Sequence, residues 1–167
     1  MENLIMFLAT SLALHVPTPK FKRYTIGSSG CSSLLFSGAN SLYVKYTKDD
    51  EKVYFNEHTI AGVTYGLVVV QMKDVFTLEE ASTILVQYTK AVRKPFKIVH
   101  HLPMEMEKQN GKVSLAGYWQ DQKGGDWKVK GYTNGKTIAV LYVKNIGASN
   151  VKDDDNFLNG LKFSLFS

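Results

Sequence analysis

Cysteine is nearly absent from the 167-residue chain, where Cys31 stands alone. One thiol can neither close an intrachain disulfide nor supply the ligands of a multi-cysteine zinc or iron–sulfur centre. No apolar run reaches the roughly 20 residues that a helix needs to cross a bilayer, so no transmembrane span is expected. The short motifs that carry catalysis or phosphate binding are also missing: there is no G-x-S-x-G, H-E-x-x-H, G-x-x-x-x-G-K or G-x-G-x-x-G. No cofactor is therefore expected. With four prolines and 21% charged residues, the chain is neither collagen-like nor a disordered polyelectrolyte. What is present is ordinary and globular: 44% hydrophobic residues, in a length that suits one domain. Twenty Lys+Arg against fifteen Asp+Glu leave a net charge of +5, mildly basic and short of a dedicated nucleic-acid binder. No nucleic-acid partner is expected.

The N-terminus sets the expected compartment. Residues 4–14 (LIMFLATSLAL) are apolar apart from Thr10 and Ser11. They have the length of a signal-peptide core, and Ser11-Leu12-Ala13 offers a small-x-small cleavage site. Met1-Glu2-Asn3 carries an acid and no cation, which suits the competing reading of an apolar element docked on the core. Residues 1–20 are read as a signal peptide and linker, and residues 21–167 as a single domain. The segment HVPTPKFKRY leads into that domain. Export to the periplasm or an equivalent space is expected over the cytoplasm, with association with an envelope or membrane complex. Cys31 sits in SSGC, but Ser28 stands where a lipoprotein box needs an aliphatic residue. A buried free thiol is the simpler expectation.

Hydrophobic periodicity gives the architecture. Residues 42–46 alternate, and residues 53–60 and 63–72 read as two further strands, with Leu67-Val68-Val69-Val70 apolar on both faces as in a central strand. Thr77-Leu78-Glu79-Glu80 is a capping box, and Leu78, Ala81, Leu85, Tyr88 and Val92 form one helical stripe that Pro95 ends. A meander follows. Residues around Ile98 and His100 alternate, and Asn110-Gly111, Gly124-Gly125 and Asn134-Gly135 separate the runs 112–120, 126–133 and 136–146. Asn-Gly and Gly-Gly suit the positive φ angles of tight hairpins. Asp153-Asp154-Asp155 is expected to cap a short last helix over residues 156–161. The fold class is α+β: a mainly antiparallel sheet of about six to seven strands, covered by helices.

Few residues gather into a chemical pattern. His100 and His101 point to opposite faces of a strand and cannot share a metal ion without a bulge, while His15 and His58 have no ligand spacing to them. His100 is expected to be partly buried in the core. The acidic clusters at Asp49-Asp50-Glu51 and Asp153-Asp154-Asp155 lack the EF-hand pattern. Residues 28–33, SSGCSS, read as a polar turn. Two basic groupings remain: Lys20, Lys22 and Arg23 at the domain entrance, and Lys128 and Lys130 beside Lys123, Trp119, Trp127 and Tyr132. Cations interleaved with aromatics can bind single-stranded nucleic acid, but here they suit a half-solvated strand that meets a protein or another anionic surface. The expected partner surface is Lys20, Lys22, Arg23, Lys128, Lys130 and Tyr132.

A family resemblance rests on scattered motifs. Tyr24-Thr25-Ile26, Cys31-Ser32 and Leu35-Phe36-Ser37-Gly38 together resemble the F/Y-x-I…F-P-G opening of PsbP-like domains, with Ser37 in place of proline. Residues 139–144 (AVLYVK) resemble the family's penultimate strand. Phe157-Leu158-Asn159-Gly160-Leu161-Lys162-Phe163 resembles its F-[LF]-[DN]-S-F-K-[LF] ending, with Gly160 in place of serine. The family includes the extrinsic PsbP subunit of photosystem II and a nuclear-import regulator that binds Ran. The resemblance implies an α/β/α sandwich and a non-enzymatic accessory module that acts through protein–protein contacts with an unidentified partner. It carries over no metal site. The alternatives are a small hydrolase using Cys31 or a histidine, and a carrier enclosing an apolar ligand between the sheet and the helix at residues 77–94.

Overall fold

The computed structural model describes residues 19–36 and 42–164. The apolar segment 4–14 and the Ser37-Gly38 pair lie outside the described residues. The chain runs β1 (Phe21–Thr25), β2 (Cys31–Phe36), β3 (Tyr43–Tyr46), β4 (Lys52–Ile60), β5 (Val63–Gln71), α1 (Leu78–Arg93), β6 (Ile98–His101), β7 (Glu105–Gln109), β8 (Lys112–Asp121), β9 (Asp126–Thr133), β10 (Thr137–Lys144), α2 (Val151–Leu158) and β11 (Lys162–Phe163).

Eight strands form one antiparallel sheet in the order β3-β4-β5-β10-β9-β8-β6, with β7 also paired to β8. Strands β6 and β7 are one edge interrupted at Leu102–Met104, where the Leu102 N–H still donates to the Tyr118 carbonyl at 3.0 Å. β10 and β5 occupy the middle, which is why both read as apolar on each face. β1, β2 and β11 make a separate three-stranded sheet.

Alternation splits the main sheet's side chains between two layers. Val70, Ile138, Val113 and Leu115 pack under α1 with Leu85. Trp119, Trp127, Val129, Val140 and Tyr142 continue that layer. Tyr65, Leu67, Val69, Ala139, Leu141 and Val143 face the other way, against Ile26, Leu35, Phe36, Phe157 and Leu158 of the small sheet and α2. The fold is therefore α+β, with α1 on one side of the sheet and α2 plus a second sheet on the other.

The helix at 78–93 follows its sequence signals closely. The Thr77 backbone N–H donates to the Glu80 carboxylate at 2.9 Å, and the Glu80 N–H donates to the Thr77 hydroxyl at 3.3 Å. Ala81 and Leu85 are fully buried, and Thr89 joins them because its hydroxyl donates to the Leu85 carbonyl at 2.8 Å.

Other expectations are corrected. Residues 21–24, the end of the lead-in segment HVPTPKFKRY, belong with Thr25 to strand β1, and the polar stretch 28–33 is a turn only as far as Gly30; Cys31 opens β2. Their strand character comes from pairing with each other, which no local pattern announces. Asp153–Asp155 lie inside α2, not before it. Asn150 is the cap, its side chain accepting from the Lys152 N–H at 2.9 Å. β7 is the added eighth strand of the main sheet. All five of its residues are exposed, so it has no apolar alternation to read.

Candidate functional site: a trough along β8

The small sheet and α2 cover the middle of the main sheet and reach β9, where they bury Tyr132 and meet Lys128 and Lys130 through Asp155 and Asn159. Beyond β9, the same face of β8 lies open. In β8, Val113, Leu115, Gly117 and Trp119 turn under α1, so Ser114, Ala116, Tyr118 and Gln120 point to the open side. Among the described residues, three depressions follow one another along this row.

At one end, His100, Leu102, Tyr118, Gln120 and Asp126 line an open depression of about 460 Å³. In the middle, Ala116, Tyr118, Lys128, Lys130, Asp155 and Asn159 line one of about 150 Å³ against α2. At the other end, Glu107, Gln109, Lys112, Ser114, Lys130 and Asn159 line a polar one of about 150 Å³. Tyr118 is shared by the first two, and Lys130 and Asn159 by the last two, so the three form one trough. Tyr118 is 50% exposed and Leu102 59%, a large apolar outlay for residues on a sheet face.

The expected partner surface is only partly assembled here. Lys20, Lys22 and Arg23 are exposed at the start of β1, where Lys22 lies 5.9 Å from the Tyr24 ring. Arg23 turns inward to work: its guanidinium donates to the Gly160 carbonyl at 2.7 Å and to the Ser32 hydroxyl at 3.2 Å. Lys128 pairs with Asp155 of α2 at 3.6 Å, and Lys130 donates to the Asn159 side chain at 2.5 Å. Arg23 of β1 and Lys128 and Lys130 of β9 thus converge on the C-terminal end of α2. Tyr132 is a correction: it is 4% exposed and its hydroxyl donates to the Leu158 carbonyl at 2.7 Å, so it fixes α2 rather than meeting a partner. Its position in the alternation of β9 is right, but α2 covers that end of the strand.

Tyr118, Ser114, Lys112 and Asn159 are absent from the expected surface. The first three share one face of a clearly alternating strand, so that row was legible. What was not legible is that, among the described residues, nothing packs over Tyr118.

Other candidates fall in separate places. His100 is exposed beside Tyr118, not in the core, because β6 is an edge strand with a bulge between Ile98 and His100. His58 packs on the Phe36 ring, with centroids 4.4 Å apart. Among the described residues, no group of three or more His, Cys, Asp or Glu side chains is placed to hold a metal ion, and no hydrogen bond joins a histidine to a hydroxyl or thiol. No helix among them is long and apolar enough to cross a membrane. Between α1 and the sheet, where an apolar ligand would sit, Leu85, Leu115, Ile138 and Met72 pack together.

Cys31 is 0% exposed, and its Sγ lies 3.1 Å from the Ser29 hydroxyl. Burial pushes the thiol above its ordinary value, and the Ser29 bond offsets this only in part. A neutral, enclosed thiol is a poor nucleophile. Iodoacetamide should leave Cys31 unmodified in the native protein and label it fully in denaturant, as read by intact mass. Native labelling at the rate of an exposed thiol would restore the hydrolase reading.

No family model matches the chain, and no curated protein matches it in sequence. Its structure is similar to the solution structure of cyanobacterial PsbP (CyanoP) from Synechocystis sp. PCC 6803, with a TM-score of 0.54 over 89% of this chain and 95% of that one. At 12% identity the likeness is one of fold, and the fold of this chain is PsbP-like.

Proposed function

We propose that this protein is a non-enzymatic accessory module that docks on a protein partner through the trough along β8, and that it works after export, at an envelope or membrane complex. The observation that carries the reading is Tyr118. A half-exposed aromatic stands mid-strand on a sheet face that no described residue covers, next to Leu102 and flanked by Lys128, Lys130 and Asp155. Interfaces concentrate their binding energy in such aromatic anchors with a polar rim. Lys20 and Lys22 add positive charge that would steer an acidic partner and change on-rate more than affinity. The PsbP-like fold supports an accessory rather than a catalytic role, and residues 4–14 support export.

A photo-crosslinking amino acid at position 118, with position 90 on α1 as control, tests this in the native host. One reproducible protein adduct is expected from position 118 alone, recovered in the envelope fraction. The purified partner should then bind Tyr118→Ala at least about tenfold more weakly, the loss of roughly 1.4 kcal/mol expected for a modest anchor. Equal labelling at both positions, or undiminished binding by Tyr118→Ala, would overturn the reading.

A further inference from the structure

The polar end of the trough has a chemistry unlike the rest. Its floor is Ser114 of β8. Cross-strand pairing sets Glu107 opposite Ser114 on one side and Tyr132 on the other, and Gln109 opposite Lys112. Asn159, at the end of α2, and Leu161 close it. Lys112 and Lys130 both reach into this space. Among the described residues, neither ammonium has a carboxylate within ion-pairing distance; the salt bridges join Lys128 to Asp155 and Lys144 to Asp121. The Lys130 ammonium lies 5.5 Å from the Tyr132 ring centre and donates to the Asn159 amide oxygen, a neutral acceptor that leaves two of its three N–H groups to serve. Burial pushes Lys130 below the ordinary lysine value. Glu107 offsets this in part, and Lys112 adds to it, so the two ammoniums act on each other repulsively.

The walls are fixed. Tyr132 holds the Leu158 carbonyl, Lys130 holds Asn159, and Arg23 holds the Gly160 carbonyl, so three successive residues of the α2 terminus are pinned. The opposite wall hangs on the Asn110-Gly111 turn, whose φ angles of 50° and 72° fix the β7–β8 register. Donors held in place before binding lose little freedom when a ligand arrives.

We propose that this pocket binds a small carboxylate-bearing molecule, with the carboxylate between the Lys112 and Lys130 ammoniums above the Ser114 hydroxyl. Two cations and a hydroxyl match the two oxygens of a carboxylate, each able to accept more than one hydrogen bond. The volume of about 150 Å³ suits a ligand of a few heavy atoms. Glu107 at the rim is the one carboxylate of the lining, and it selects among such ligands. It disfavours a second negative charge and favours an amino group beside the carboxylate, so alanine should bind better than propionate, and propionate better than succinate. This site does not depend on the trough taking a protein partner, and its test uses no partner.

The test is a titration of the full chain, followed by 1H–15N amide shifts, with propionate, L-alanine and succinate at constant ionic strength and with chloride as control. Saturable shifts are expected at Lys112, Ser114, Lys130 and Asn159. Lys112→Gln should weaken alanine binding at least about tenfold, as should Lys130→Gln, while Lys94→Gln on α1 should leave it unchanged. Loss of one charge-assisted hydrogen bond corresponds to a change of that size. Among the described residues the Lys112 side chain makes no hydrogen bond or ion pair, so Lys112→Gln keeps the test valid even if Lys130→Gln loosens α2. The proposal is overturned if no carboxylate gives saturable shifts at these residues, or if Lys112→Gln binds alanine as tightly as the wild type.

Discussion

Gly66→Ala is expected to destabilise the protein by about 3 kcal/mol or more, because the new methyl group has nowhere to go. A Cβ at position 66 would lie 2.0 Å from the Tyr142 Cζ and 2.3 Å from its Cε2. Tyr142 is the cross-strand partner of Gly66, and its ring occupies the space where a side chain at position 66 would stand. The ring continues across to β4, where its hydroxyl donates to the carboxylate of Glu57, itself the partner of Gly66 on the other side. The ring cannot swing away. Its centroid is 4.8 Å from that of Phe96 and 5.2 Å from that of Trp127, and the residue is 0% exposed. For a chain of this size the melting temperature should fall by roughly 6–12 °C. A double-mutant cycle identifies the cause. If the close approach is responsible, Gly66→Ala combined with Tyr142→Leu should cost at least about 1 kcal/mol less than the sum of the two single changes. Additive losses would show that Gly66 matters for another reason.

The second large effect is at Asp121, the last residue of β8. It is 4% exposed, yet every lone pair has work. Oδ1 accepts from the backbone N–H groups of Lys123 and Gly125, at 2.9 and 3.0 Å. Oδ2 accepts from the Trp127 indole at 2.9 Å and faces the Lys144 ammonium at 3.4 Å. This one carboxylate ties the β8–β9 turn to β10. Asp121→Asn keeps an oxygen for the turn but aims an NH2 group at two donors, the indole and the ammonium. Breaking a buried, charge-assisted network in this way should cost about 3 kcal/mol.

The pH dependence follows from the same contacts. Burial raises the Asp121 carboxyl, but the Trp127, Gly125 and Lys123 donors and Lys144 together outweigh it and hold the group below the ordinary carboxylate value. A carboxyl whose folded value lies below its unfolded value, the latter about 3.9, adds stability that is present above the unfolded value. That stability is lost as pH falls through the folded value. The gap in denaturation midpoint between wild type and Asp121→Asn should therefore be constant near neutrality and narrow in strong acid. A gap that is the same in strong acid as at neutrality would rule out the charged network as its cause.

Both positions show where sequence and structure divide the information. Gly66 breaks the apolar run 63–72, and alternation alone reads it as a weak point in a central strand. Its meaning lies in Tyr142, which is 76 residues away and becomes its neighbour only when β5 pairs with β10. Asp121 looks like one more polar residue before a Gly-Gly turn until the β8–β9 turn, β9 and β10 set four donors around it.

The amino-acid order by itself determined whatever depends on residues a few positions apart. The Thr77–Glu80 capping box, the stripe of α1 and the hairpins at Asn110-Gly111 and Gly124-Gly125 follow from local sterics and hydrogen bonding. The central strands at 63–72 and 136–146 follow from being apolar on both faces. Those local facts were enough for the α+β class. Tertiary structure alone decided what required distant segments to meet. β1, β2 and β11 exist because they pair with one another, and β7 because it pairs with β8. The reach of α2 decided that Tyr132 is buried while Tyr118, on the neighbouring strand opposite Lys128, is half exposed. Alternation assigns a side chain to a face of the sheet, but only packing determines whether another layer lies over that face.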